Sequence, residues 1–150
     1  MNHPVIDHFE GRWFFLSNFY PCKVQHEGFW YPSAEHAFQA AKSLEEEVRV
    51  EIQCLKDAGA AKRYGQGVLL RSDWEQVKLS YMLSILRNKF ENEPLRSQLI
   101  DTNPCILVEG NTWGDTFWGV DKVKGGQNKL GRMLMFVRSE LLRGVDHTPF

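Results

Sequence analysis

Two short stretches carry the side chains whose chemistry most needs an explanation. In residues 31–42, YPSAEHAFQAAK, a carboxylate, an amide and an amine recur as Glu35, Gln39 and Lys42. At about 100° per residue, these side chains share one narrow sector of a helix, and Ala34, Ala37, Phe38 and Ala41 form another. The alanines allow close approach of neighbours, so the polar stripe belongs at the edge of a packed region. A carboxylate beside an amine can stabilise developing positive charge or activate a water molecule. Spacing alone favours a plainer account, a solvated face with Glu35 placed in the first turn to suit the helix dipole.

The second stretch, EGNTWGDTFWGVDKVKGGQNKLG, shifts that balance. It sets a carboxylate, Asp115, among the rings of Trp113 and Trp118, the amides of Asn111 and Asn128, several lysines and many glycines. Rings stack planar bases, glycines let backbone N–H groups approach phosphate, and a helix start near Asn128 attracts an anion. The inventory suits a nucleotide-like ligand, although GGxN is neither a Walker A loop nor a dinucleotide fingerprint.

Other chemistries find no support. The histidines show no HExxH-type spacing, so no metal site is expected, and no GxSxG elbow is present. His36 follows Glu35 but points about 100° away and reads as a helix-edge residue. Cys22, Cys54 and Cys105 are far apart and odd in number, and they read as buried free thiols suited to a reducing cytoplasm. A formal net charge of -1 disfavours broad attraction to nucleic acid or anionic membrane. A local patch from Lys122, Lys124, Lys129 and Arg132 remains open. No apolar run reaches the length of a membrane span, and the polar start is unlike a signal peptide.

The elements that must position these residues follow from patterning. VIDHF and WFFLSNFY read as short strands, and residues 22–31 as a hairpin turning near His26-Glu27-Gly28. Helices are expected from Ser33, an N-cap, and over residues 44–55 with a Ser43/Glu46 capping box. Further helices are expected over residues 58–64, ending at Gly65, over 73–90, 94–100 and 128–142. Residues 105–109 read as a buried strand, 110–126 as a glycine-rich functional loop, and 145–150 as a loose tail. The fold class is α+β, predominantly helical, with a few short N-terminal strands in a single compact domain over residues 1–150.

Four blocks, LSNFYPCKV, YPSAEHAFQAAK, WEQVKLSYMLSILRNKF and DTFWGVDKVKGGQNKLGRMLMFVRSEL, stand in the order and spacing of the NADAR superfamily of YbiA-like proteins. The resemblance covers residues 14–142. Its EHxFQAxK motif falls on Glu35, His36, Phe38, Gln39, Ala40 and Lys42, its DxxWG motif on Asp115, Trp118 and Gly119, and its GxNxLG motif on Gly126, Asn128, Leu130 and Gly131. The SNF motif falls on Ser17, Asn18 and Phe19. The resemblance implies N-glycosidase chemistry, and no cofactor is expected. The implied substrate is either ADP-ribose on a nucleobase, notably guanine in nucleic acid, or a phosphoribosylamino intermediate of riboflavin biosynthesis. Glu35, Asp115 and Lys42 are the implied catalytic residues. Asn18, Phe19, Gln39, Trp113, Trp118, Gly119, Gly126 and Asn128 are the implied substrate contacts. The expected partner is thus a small nucleotide-like substrate or ADP-ribosylated nucleic acid, met by a monomer that needs no membrane. The alternatives are a non-catalytic reader of ADP-ribose or an NAD-type nucleotide, and a small partner-binding domain.

Overall fold

A computed structural model of the chain describes residues 2–144, so the expected loose tail lies outside the described residues. In chain order the elements are β1 (Val5–Ile6), a 3₁₀ segment (Gly11–Leu16), β2 (Pro21–His26), β3 (Phe29–Ser33), α1 (Ala34–Ala41), α2 (Glu46–Gln53), α3 (Ala58–Gln66), α4 (Trp74–Lys89), α5 (Leu95–Ile100), β4 (Ile106–Leu107), β5 (Gly110–Asn111), β6 (Val120–Asp121) and α6 (Lys129–Leu142). The class is α+β with helix predominating, as the patterning indicates. The chain divides into two compact units, with boundaries between Ser17 and Asn18 and between Lys89 and Phe90.

The inner unit, residues 18–89, is built around α1. The β2–β3 hairpin pairs Val24 with Tyr31 and His26 with Phe29. Its two turn residues, Glu27 and Gly28, both have positive φ, the geometry that matches hairpin twist. Ser33 caps α1 by accepting from the His36 backbone N–H at 3.1 Å. The helix then packs on β2, β3, α2, α3 and α4. This contact is possible because Ala34, Ala37, Ala40 and Ala41 present little bulk, and all eight of its residues are buried. Phe38 meets Trp74 of α4 with ring centroids 5.2 Å apart.

The outer unit joins the N-terminal segment to residues from Phe90 onward. β1 pairs in parallel with β4, and β5 with β6. α6 lays Leu130, Leu134, Val137 and Leu141 into its core. The Arg138 guanidinium ties α6 to the end of α5 by donating to Thr102 Oγ1 at 3.0 Å and to the Cys105 carbonyl at 2.8 Å.

Several local expectations are corrected. Much of WFFLSNFY coils as a 3₁₀ segment rather than a strand, burying Phe15 and Leu16. Ser43 does not cap α2, whose N-cap is Glu45; its hydroxyl accepts instead from the Glu45 N–H at 3.0 Å. α3 runs through Gly65 to Gln66. β4 falls within the strand expected over residues 105–109, whereas β5 and β6 are short strands in or beside the segment read as a loop. The cysteines are free, but Cys22 and Cys105 are half-buried and Cys54 is exposed.

His36 is also corrected, from helix edge to core. It is 1% exposed, and both ring nitrogens are engaged. Nε2 donates to the Leu55 carbonyl at 3.0 Å, which leaves Nδ1 to accept from the Ser33 hydroxyl at 2.6 Å. Burial pushes its pKa down, against smaller upward effects from the Leu55 carbonyl and Asp57. His26 is likewise pushed down by burial, with Glu27 opposing and Arg49 and Arg71 reinforcing the fall. The unfolded chain therefore takes up protons below the ordinary histidine value of about 6.5 that these folded histidines resist. Their contribution is complete above that pH and is lost as pH falls below it. Urea midpoints measured from pH 7.5 to 5 are expected to fall with acidification. In His36→Asn the slope should be shallower, and an unchanged slope would show that His36 titrates normally.

Candidate functional site

The polar stripe is not a solvated face. Glu35 is 8% exposed and Gln39 is 5% exposed, so both side chains are in the packed interior. One turn of helix separates them, and Gln39 Nε2 donates to Glu35 Oε1 at 2.7 Å. The Glu35 backbone N–H, an orphan donor of the first turn, reaches the Asn18 carbonyl at 2.9 Å. That bond ties the SNF segment to the start of α1. The Asn18 amide donates weakly to the Met82 sulfur at 3.5 Å, and its Oδ1 is buried with no hydrogen-bond partner among the described residues.

At the other end of the stripe, Lys42 Nζ lies 3.4 Å from the Gly65 carbonyl of α3. Burial pushes the Lys42 pKa below its ordinary value, Glu35 pulls it up, and Lys62 pushes it further down. Lys62 also belongs to α3, and its Nζ stands 5.9 Å from the centre of the Phe19 ring. Asn18, Phe19, Glu35, Gln39 and Lys42 are thereby brought together in the inner unit, with Lys62 and Gly65 added by the fold.

Gly65 explains why α3 approaches so closely. A Cβ built there would stand 1.9 Å from Gln39 Oε1 and 2.6 Å from its Cδ. A glycine inside a helix costs about 1 kcal/mol relative to alanine, so one retained there points to a packing reason. The sequence pattern reads this residue as a helix stop and misses both it and Lys62. The interior glycine was the available signal for Gly65. Lys62 had none, because it falls outside every motif block.

The remaining predicted residues belong to the outer unit, where side chains and close packing shape the glycine-rich segment. Asp115 Oδ1 accepts from the N–H groups of Phe117 and Trp118 at 3.1 and 2.9 Å. Asn111 brackets the Asp115 backbone, accepting from its N–H and donating to its carbonyl. Asp121, which the sequence reading passes over, accepts from Gly114, Val123 and Lys124 N–H groups at 2.8, 3.0 and 2.9 Å. Those bonds to Lys124 and Val123 lead the effects that hold its carboxyl below the ordinary range.

Asn128, at φ 53, bonds Glu109 N–H and the Leu107 carbonyl through its side chain. Its amide docks the start of α6 on the preceding strand region rather than capping the helix. Gly119 and Gly126 are places of close backbone approach, where a Cβ would meet Glu109 O at 2.4 Å and Gly119 O at 2.2 Å. Trp113 is 62% exposed, and Trp118 meets Phe117 edge-on at 4.8 Å. Lys122, Lys124 and Arg132 are exposed and Lys129 is half-buried.

The profile of the NADAR domain matches residues 7–142, a span that runs through both units. The chain belongs to the NADAR domain family. Among its relatives, N-glycosidase YbiA of Escherichia coli (strain K12) is 40% identical over 129 residues, covering 84% of this chain and 80% of that protein. Riboflavin biosynthesis protein VVA0006 of Vibrio vulnificus is 37% identical over 139 residues, 91% of this chain. The chain spans only 37% of the Vibrio protein, and 24% of the maize chloroplastic riboflavin biosynthesis protein PYRR, to which it is 34% identical. The NMR structure of E. coli YbiA matches with a TM-score of 0.85 and 34% identity, covering 99% of this chain and 92% of that one. Among the described residues of the NADAR chain, no His/Cys/Asp/Glu cluster is arranged to hold a metal ion, and no helix is long and apolar enough to cross a membrane.

The Gly65–Gln39 contact yields a test that needs no substrate. Gly65→Ala gains helix propensity but displaces the Gln39 amide, so it is expected to destabilise the protein in urea unfolding. With Gln39→Ala the amide is gone and only the Cβ contact at 3.1 Å remains. In that background, Gly65→Ala is expected to be neutral or stabilising by up to about 1 kcal/mol. Equal effects in both backgrounds would show that the glycine serves something other than Gln39.

Proposed function

We propose that this chain is an N-glycosidase that hydrolyses a ribosyl–nitrogen bond. The observation that carries the reading is a carboxylate buried on α1, held by the Gln39 amide, with the Lys42 amine on the same stripe. Burying ionisable groups is expensive, and a domain that only bound a nucleotide through rings and glycines would have no use for them.

As the C1–N bond breaks, positive charge builds on the ribosyl carbon. The Glu35 carboxylate stabilises that charge and takes a proton from the attacking water, whose oxygen forms the new C1–O bond. Lys42, as the ammonium, gives a proton to the departing nitrogen. One proton is accepted and one donated, and exchange with solvent resets both groups. Asn18 Oδ1 offers an acceptor to a substrate hydroxyl. The Asp115 carboxylate is engaged by the Phe117 and Trp118 N–H groups of its own loop, which favours Glu35 as the principal carboxylate.

Two substrate classes fit this chemistry. The family resemblance admits phosphoribosylamino intermediates of riboflavin biosynthesis and ADP-ribose attached to guanine in nucleic acid, and the riboflavin-biosynthesis names of the Vibrio and maize relatives support the first. Three free cysteines suit action in a reducing cytoplasm.

A side-by-side assay of purified protein on both substrates tests the proposal. Release of the free amine or base together with the free sugar is expected from at least one substrate. Asp115→Asn, which weakens the acceptor for two N–H groups, is expected to raise KM more than it lowers kcat. No release from either substrate, with binding intact by calorimetry, would leave a nucleotide reader instead.

A further inference from the structure

α1 ends at Ala41, and Lys42, its C-cap, carries the amine of the stripe. A helix end frays unless its carbonyls find partners, so an amine there is only as well placed as the backbone beneath it. Two arginines outside the four sequence blocks take up the carbonyls that follow the helix. The Arg71 backbone N–H donates to the Lys42 carbonyl at 2.8 Å. Ser43 is buried, so its carbonyl calls for a partner within the protein. Arg49 of α2 supplies it, donating from side-chain Nε at 2.9 Å.

Both arginines are themselves fixed. Arg49 is 7% exposed, and its Nη1 donates to Glu27 Oε2 at 2.7 Å in the turn of the β2–β3 hairpin. One planar guanidinium therefore spans from the hairpin to the residue after Lys42. Arg71 is paired with Asp73 at 2.6 Å and stacked on Tyr81 of α4. From this clamped end the Lys42 amine approaches the Gly65 carbonyl of α3 at 3.4 Å.

We propose that Arg49 is a positioning residue of the site, acting through Lys42 by bridging the Glu27 carboxylate to the Ser43 carbonyl and so fixing the end of α1. The inference rests on the N-glycosidase reading for its catalytic meaning. The bridge works by geometry, because the charges acting on Lys42 are those of Glu35 and Lys62, and the Arg49 charge is balanced by Glu27. A lysine at position 49 would keep the charge but lose the rigid fork that serves both acceptors. Transfer of the Lys42 proton to a departing nitrogen needs the amine within hydrogen-bond reach, and a small misplacement slows such a step.

Direct titration of Lys42 tests this without any substrate. In the full chain labelled with ¹³C-lysine, its Cε resonance is identified by its loss in Lys42→Arg and followed from pH 7 to 11. Burial is the largest influence on Lys42 and lowers its midpoint, so the parent is expected below the ordinary lysine value of about 10.4. In Arg49→Met and Arg49→Lys the loosened amine gains water, and the midpoint should rise towards that value. Arg138→Met, which cuts the tie between α6 and α5, controls for destabilisation alone and should leave the midpoint in place. An unmoved midpoint in the folded Arg49 variants, or an equal rise in Arg138→Met, overturns the proposal.

Turnover of the phosphoribosylamino substrate is the second readout. Arg49→Lys is expected to lower kcat roughly tenfold with little change in KM, and to have almost no further effect in a Lys42→Met background. An undiminished loss in that background would show that Arg49 does not act through Lys42. A parent that cleaves nothing would remove the N-glycosidase reading, and the titration would still decide whether Arg49 places Lys42. Should Arg49→Met fail to fold, Arg49→Lys serves the same comparisons, and failure of both to fold would mark Arg49 as structural and overturn the proposal.

Discussion

The inner unit depends on one constraint: a short helix must be packed on every side and still carry a carboxylate, an amide and an amine. Alanine at four positions of α1 permits the packing, and glycine at position 65 of α3 permits it where the Gln39 amide lies. The hydrogen bond from Gln39 to Glu35 is the consequence. It supplies a partner for a carboxylate that water scarcely reaches, so it limits the cost of burial while holding the group in one orientation. The backbone bond from Glu35 to Asn18 and the approach of Lys42 to Gly65 extend this order to both ends of the stripe.

The outer unit meets a different demand by similar means. Its glycine-rich segment runs without long regular elements, and its backbone donors still require partners. Asp115 and Asp121 provide them, gathering two and three N–H groups respectively into one carboxylate. Asn128 does the same between the start of α6 and the region of Leu107. The glycines between them mark close crossings of backbone on backbone, at Gly119 against Glu109 and Gly126 against Gly119. Residues with the look of a phosphate-gripping loop thus also build its frame.

Much of this is legible in the sequence alone. The α1 stripe, the hairpin turn at Glu27-Gly28, the Ser33 cap and the apolar face of α6 all follow from local rules of spacing and turn chemistry. The parts that were not legible depend on what lies across from a residue. Whether the Gln39 part of the stripe is solvated or buried depends on α3 and its glycine, which the pattern around α1 does not contain. His36 reads as an edge residue because its partners, Ser33 and the Leu55 carbonyl, are invisible to helical geometry alone. The 3₁₀ coil in place of a strand in WFFLSNFY shows the same limit, since a short apolar run suits either conformation. Lys62 shows the limit most clearly, since only the approach of α3 to α1 connects it to the site.

The central claim is that the Glu35 carboxylate, and no merely structural use of it, drives bond cleavage. Single-turnover rates of Glu35→Gln test it most directly, because the change keeps the shape and hydrogen-bonding reach while deleting the charge. The variant is expected to fold, to bind substrate with near-normal affinity by calorimetry and to cleave it about 10²- to 10³-fold more slowly. A rate within about threefold of the parent, with only the small stability loss of a first-turn dipole contact, would contradict it.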